Sequence, residues 1–304
     1  MILLASSAGF LLKNLLTASF LLSLTLARLN LQAKPQDGDY RQYLPLVDNL
    51  STPWDRWVPT PGTSWQWQLT GEIDTSFDVQ MYDIDLFDAP DGIIESLHTD
   101  GRIVICYFSA GSWEEWRPDA GLFPDSVKGN DLEGWPGEKW LDIRQLDVLG
   151  PIMEARLDLA VQKGCDGVEP DNVDGFTNET GFPLTSRHQL AYNTWVANQA
   201  HARGLSVGLK NDLEQIPNLL PLFDWALNEQ CFQYDECERL IPFIQAGKAV
   251  FGVEYELPPE NFCPQANAMN FDFLKKHLQL DAWQVACRSM VDTYNPMNLS
   301  NNSN

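Results

Sequence analysis

The feature that most constrains this chain is a repeated unit: a helical stretch, a single glycine, then a short apolar run. It occurs at 144–163 with Gly164, at 186–203 with Gly204 and at 235–246 with Gly247. A glycine directly after a helical pattern supplies the left-handed residue on which helices end. The runs that follow are too short for helices and too continuously apolar for strands with one wet face, as parallel strands buried on both sides should be. Such strands are predicted at 65–69, 77–84, 102–109, 139–143, 166–171, 205–211, 225–230 and 250–256. Strands of this kind linked by crossover helices within one domain predict an α/β fold, a closed (β/α)₈ TIM barrel in preference to an open sheet. The connection over 70–76 is too short for a helix, so the first unit is irregular.

The barrel is expected over 64–290. Ahead of it, Lys13 precedes an apolar run from Leu15 to Ala27, with small residues at Ala27 and Ala33 as cleavage positions, so residues 1–33 read as a signal peptide. The run is short for a membrane span, although the apolar stretch before Lys13 keeps an uncleaved anchor as the alternative. Residues 34–63, rich in Pro, Asp and Gln, read as a leader, and 291–304 as a polar disordered tail. A secreted, extracellular protein without stable membrane association after leader cleavage is expected. Six cysteines fit an oxidising compartment. Proximity pairs Cys231 with Cys237 and Cys263 with Cys287, while Cys106 and Cys165, in or beside apolar strands, are expected as buried free thiols. Acceptor patterns for N-glycosylation stand at Asn49, Asn178, Asn298 and Asn301.

Charge narrows the partners. Acidic residues number 42 against 20 basic, a formal net charge of -22. Nucleic acid needs a basic footprint and is excluded as a partner, and anionic membrane surfaces are disfavoured. Such a field either serves solubility alone or attracts a cationic ligand.

In a barrel of this kind the reactive groups sit where the strands end. Those ends carry Asp83, Asp85, Asp142, Glu169, Asp171, Asp174, Lys210, Glu229 and Glu254. Taken singly, each is more readily a solvated or structural charge. Asp171 and Glu229 stand out. Asp171 closes an otherwise apolar strand, and Glu229 shares the face of Trp225 and Leu227 by period-two alternation. A carboxylate on the inward parity of a barrel strand is costly unless paired or used. Two carboxylates facing one pocket suit glycosidic bond cleavage, one donating a proton to the leaving oxygen and the other acting as nucleophile or base. Lys210, between them in the chain, either holds one of them ionised or forms a plain salt bridge. Trp113, Trp116 and Trp135 follow the third strand and offer flat surfaces on which a sugar can stack. The chain has four His, none in HExxH spacing, and shows neither a Walker loop nor a G-x-S-x-G elbow. No cofactor or metal is therefore expected, an oxygen-ligated cation at the acidic ends being the remaining option.

The runs WQWQLTGEIDTSFDVQMYDIDLFD, ICYFSAGSWEEWRPD, GWPGEKWLDIR, GCDGVEPDNVDGF, GLKND, ALNEQCFQYDEC and VFGVEYE, in this order from Trp65 onward, resemble glycoside hydrolase family 114, the endo-α-1,4-polygalactosaminidases. The resemblance implies a TIM barrel that hydrolyses α-1,4-linked galactosamine polymers, including partly acetylated ones. It implies a catalytic Asp on EPDN and a catalytic Glu on NEQC, here Asp171 and Glu229. Deacetylated galactosamine is cationic, so Asp83, Asp85, Asp142, Glu169, Asp174 and Glu254 are expected to line an attracting cleft. Asp171 is expected as nucleophile and Glu229 as acid/base, with Glu169 as a substitute of the same parity. A glycosidase for another α-linked sugar and a non-catalytic glycan-binding barrel are the competing readings.

Overall fold

The computed structural model describes residues 56–293. The signal peptide, leader residues 34–55, tail residues 294–304 and the acceptors Asn49, Asn298 and Asn301 lie outside the described residues. Along the chain run β1 (Trp65–Gln68), β2 (Met81–Asp85), α1 (Ile93–Thr99), β3 (Ile103–Ser109), β4 (Ser112–Glu114), β5 (Lys128–Asp131) and β6 (Glu138–Leu141). There follow α2 (Leu146–Lys163), β7 (Gly167–Asp171), α3 (Ser186–Ala202), β8 (Ser206–Lys210), α4 (Ile216–Leu219), β9 (Trp225–Glu229), α5 (Ile241–Gln245), β10 (Val250–Glu254), α6 (Pro259–Ala268), β11 (Asp272–Lys276) and β12 (Gln284–Ala286).

The expected TIM barrel is present, with one strand exchanged. Parallel pairing runs β1-β2-β3-β7-β8-β9-β10-β11, and β12 adds antiparallel to β11. The segment around 139–143, expected as a barrel strand, instead supplies β6 to a separate antiparallel sheet, β4-β6-β5, inserted after β3. The missing barrel strand is β11. Its sequence, DFLKK, carries lysines at its end and so lacks the apolar run by which the others were legible, yet Lys276 is fully buried. Asp171 and Glu229 consequently close the fourth and sixth barrel strands, not the fifth and seventh.

Two apolar layers hold the ring. Inside it, Trp65, Trp67, Met81, Ile105, Trp225, Leu227, Phe251, Val253 and Leu274 pack together. Outside it, alternate strand residues such as Ile84, Cys106, Val168, Val207 and Ala226 meet α2, α3 and their neighbours. Period-two alternation thus assigns every strand residue to one layer or the other. Gly208 lies under Trp225, whose ring would come within 2.4 Å of an added Cβ. The helix-ending glycines 164, 204 and 247 all have positive φ, as the repeated unit requires.

Between β11 and β1 no ladder closes the ring. Side chains span the gap: Trp65 Nε1 donates to Asp272 O (2.8 Å), Gln66 Nε2 to Ala282 O (2.7 Å), and Lys276 Nζ to Gln66 Oε1 (3.2 Å). The last leader residues are packed on the barrel too. Arg56 pairs with Asp224 at 2.9 Å, and the Gly62 amide donates to Asp272 (2.9 Å).

All six cysteines are paired. The expected Cys231–Cys237 and Cys263–Cys287 bridges are present. Cys106 and Cys165 are not free thiols but form a third bridge. The parallel pairing of β3 with β7 brings Cys106 beside Val168 in register, and Cys165 enters β7 on the same outer layer. Sequence separation of 59 residues concealed that neighbourhood.

Candidate active site

The inward parity that carries tryptophans at the base of the ring carries ionisable groups at its upper end. Above Ile105 comes Tyr107; above Gly167 come Glu169 and Asp171; above Gly208 comes Lys210; above Leu227 comes Glu229; above Val253 comes Tyr255.

Lys210 is the hub. Its Nζ lies 2.7 Å from Glu169 Oε1, 3.2 Å from Asp171 Oδ1 and 3.6 Å from Glu229 Oε2. It also sits 4.6 Å from the centroid of the Trp67 ring beneath it. Burial alone would lower the pKa of this ammonium, but the charges of Asp171, Glu169 and Glu229 push it well above the usual lysine value. The two distances to Asp171 and Glu229 place those oxygens at most about 6.8 Å apart, since 3.2 Å and 3.6 Å cannot sum to more.

Each of the two partly exposed carboxylates is further held by a phenol and an amide. Tyr107 donates to Asp171 Oδ2 (3.1 Å), and the Asn172 amide to Asp171 Oδ1 (2.7 Å). Tyr255 donates to Glu229 Oε1, and Asn211 Nδ2 to Glu229 Oε2 (3.3 Å). Burial, then the adjoining carboxylate charge, raises both phenols well above the normal tyrosine range, so both remain donors. Asp171 and Glu229 keep side-chain exposures of 18% and 26%, whereas Glu169 and Lys210 have essentially none. The first two can therefore meet a substrate, and the other two support them.

Asp83 and Glu169 are buried together below the pair. No N–H or O–H of the protein reaches either Asp83 oxygen or Glu169 Oε2. A proton held between the two carboxyls engages Glu169 Oε2 and one Asp83 oxygen. Burial, followed by the Glu169 charge, raises Asp83 well above the carboxylate range, and burial with the Asp171 charge pushes Glu169 up to about 7 despite Lys210.

Backbone strain collects around this cluster. Asn172, Asn211, Asp212 and Gln230 all have positive φ, directly after β7, β8 and β9. Non-glycine residues in that region cost on the order of 1 kcal/mol or more and persist only where surroundings over-determine them. Here the surroundings are close backbone contacts. Ala110 and Gly111 amides both donate to Asp171 O, and a Cβ at Gly111 would stand 1.7 Å from Asn172 O.

A model of glycoside-hydrolase family GH114 matches residues 48–292. The chain belongs to that family. As a GH114 glycoside hydrolase it is similar to Ega3 of Aspergillus fumigatus, crystallised in complex with galactosamine. Identity is 44%, the match covers 79% of this chain and 100% of that one, and the TM-score is 0.74. The glycoside hydrolase domain of PelA from Pseudomonas aeruginosa shares the fold, with TM-score 0.59, 13% identity, and coverage of 73% and 98%. No curated protein matches the chain.

The structure distributes the other residues expected at the GH114 site unevenly. Asp174, after β7, is pushed up to about 6 by burial and then by the Asp171 charge, which places it in the field of the pair. Five of the six acids expected there do not line the cleft: Asp83 and Glu169 lie fully buried beneath the pair, and three more are engaged elsewhere. Asp85 is buried in a two-pronged pair with Arg117 (2.9 and 2.6 Å) and also accepts the Phe87 and Asp88 amides. Asp142 is buried against Arg144 (2.6 and 2.9 Å). Glu254 is fully buried and accepts the Phe232 amide (2.8 Å), so it props the loop after Glu229. Of the tryptophans, Trp113 spends its N–H on Ala120 O and one ring face on Lys128. Trp116 and Trp135 remain 50% and 46% exposed and free to stack.

Tyr107, Tyr255 and Asn211 were missed. Parity would have found the tyrosines. In VFGVEYE the inward residues are Phe251, Val253 and Tyr255, and selecting by charge favoured the outward Glu254 instead. Among the described residues no cluster of three or more His, Cys, Asp or Glu is set to hold a metal ion.

Proposed function

We propose that this hydrolase cleaves α-1,4-linked galactosamine polymers endo-wise and with retention, Asp171 acting as nucleophile and Glu229 as acid/base. One observation carries the reading: Lys210 Nζ reaches both carboxylates, which bounds the separation of their near oxygens at 6.8 Å. That bound admits the about 5–5.5 Å of retaining enzymes and excludes all but the lowest part of the about 6.5–9.5 Å at which inverting enzymes leave room for water.

Glu229 gives its proton to the glycosidic oxygen as an Asp171 oxygen bonds to C1 and the C1–O bond breaks. Glu229 then takes a proton from water, whose oxygen attacks C1 and releases Asp171. The donors favour this allocation. Both carboxylates receive a phenol and an amide, but Asp171 has Lys210 at the shorter distance, 3.2 Å against 3.6 Å, which stabilises a leaving and returning carboxylate. Likeness to Ega3 in complex with galactosamine supports the sugar, and the net charge of -22 supports its deacetylated, cationic form. Three disulfides support action in an oxidising, extracellular setting. Among the described residues no helix is long and apolar enough to cross a membrane.

Incubation with α-1,4-galactosamine polymer and with neutral glucans, counting reducing ends, tests the substrate. The first should be cut, less well at high salt, and the second left intact. Cleavage of the glucans alone overturns the substrate reading. Azide should rescue Asp171→Ala with a glycosyl azide of inverted anomer and Glu229→Ala with one of retained anomer; an inverted azide from Glu229→Ala would exchange the roles.

A further inference from the structure

We infer that the loop between β11 and β12 is a second sugar-binding platform, built of Trp283 and Asp281, that holds a galactosamine unit away from the bond being cut. The inference rests on the galactosamine-polymer reading above.

Its position follows from register. Gln284 pairs with Lys276, the last residue of β11. Trp283 therefore lies one residue beyond the top rung, on the face where all the parallel strands end and where Asp171 and Glu229 open. The indole is 42% exposed, which leaves apolar surface that a sugar face can cover. One ring face is backed by His277, nearly coplanar at 10° with centroids 4.3 Å apart. The exposure belongs to the rest of the ring.

The loop is built to keep that ring still. Leu280 has φ +50, an unfavourable conformation for a bulky residue. It is held there because its carbonyl accepts the amides of both Leu69 (2.9 Å) and Thr70 (3.2 Å), at the exit of β1. Thr70 Oγ1 donates to Gln279 O, Gln66 Nε2 to Ala282 O and Lys276 Nζ to Asp281 O, each at 2.7 Å. Asp281 is bound by His277 (3.0 Å) and by the Trp283 amide (3.1 Å). These bonds, the His277 side chain first, hold its carboxyl below the usual range, so it is charged while still 46% exposed.

A rigid aromatic face beside an exposed carboxylate matches an amino sugar. The C–H face of the ring stacks on the indole, and the ammonium finds both the carboxylate and the π cloud. A neutral sugar satisfies only half of this.

Reducing-end kinetics on a long galactosamine polymer and on its trimer test the platform. With Trp283→Ala, kcat/KM on the long polymer should fall about tenfold through KM, and change less than twofold on the trimer. Asp281→Asn should weaken cleavage of the deacetylated polymer but not of the acetylated one. Equal kinetics of Trp283→Ala and the parent on the long polymer would overturn the platform, and so would equal loss on polymer and trimer. Binding of the polymer to Glu229→Gln, with and without Trp283→Ala, reads the platform without turnover. Weaker binding of the double variant supports the platform even if the parent cuts nothing, which would sink the hydrolase reading alone; unchanged binding overturns the platform.

Discussion

Two buried cation clusters in this fold do opposite things. Around Arg117 and Arg156, two guanidinium groups meet Asp85, Glu114 and Asp119 through paired, well-aligned bonds, such as the 2.9 and 2.6 Å contacts to Asp85 and the 2.7 and 2.9 Å contacts to Asp119. Around Lys210, one ammonium is shared by Glu169, Asp171 and Glu229, with Asp83 close behind. The first cluster gives two cations to four carboxylates, Asp88 included at 3.3 Å, and braces the inserted sheet against α2. The second has more carboxyls than one cation can satisfy, and two of them are left partly in solvent. Counting carboxyls per buried cation therefore separates a brace from a reaction centre, where charge alone does not.

The largest expected effect divides the clusters directly. Asp171→Asn or Glu229→Gln should lower the cleavage rate by about 10³-fold or more while leaving Tm unchanged or slightly higher, since removing surplus charge relieves repulsion. Circular dichroism melts beside reducing-end rates give both readings. If either variant unfolded with its rate intact, the comparison would be broken. Next in size, Arg117→Met should cost about 3–5 kcal/mol of stability by stranding Asp85 and Glu114. Its kcat below the melting temperature should stay within a few-fold of the parent's, and a thousandfold loss in folded protein would move the brace into the active site.

The smallest effect concerns pH. Glu169 is held at about 7 in the fold, against about 4.5 when free. The native state binds the extra proton between those values, so stability from this group is complete below about pH 4.5 and is lost as pH rises to 7. Glu169→Gln removes that slope. Melts between pH 4.5 and 7 should show the parent losing a few degrees relative to Glu169→Gln, with no further divergence above. A parallel course of the two curves would show that burial does not hold Glu169 above its free value.

Much of this was legible beforehand. The helix–glycine–strand unit predicts the barrel, and the parity of Trp225, Leu227 and Glu229 predicts which way Glu229 faces, as the inner packing of the first two shows. What failed, failed for physical reasons. KWLDI has the apolarity of a barrel strand, but its partners are the antiparallel β4 and β5, and nothing local distinguishes the two settings. DFLKK hides a buried strand because Lys276 Nζ reaches Gln66 across the gap to β1 and Lys275 Nζ reaches Tyr255 O just beyond β10, partners remote in sequence. Asp85 and Asp142 resemble cleft acids until their arginines are located. Those partners stand 32 and two residues away, and only the first is remote.

The unlatched interval between β11 and β1 bears on how the molecule is made. Seven strands can form their ladders before the final thirty or so residues exist, but the cylinder then has two raw margins of unpaired amides and carbonyls, the kind of surface on which chains adhere to one another. Only the arrival of β11 and β12, fastened by the Cys263–Cys287 bridge and by Trp65 reaching Asp272, turns an open trough into a vessel. The C-terminal hairpin is in that sense the clasp of the protein, and the yield of folded protein should depend more on this last segment than on the strands it encloses.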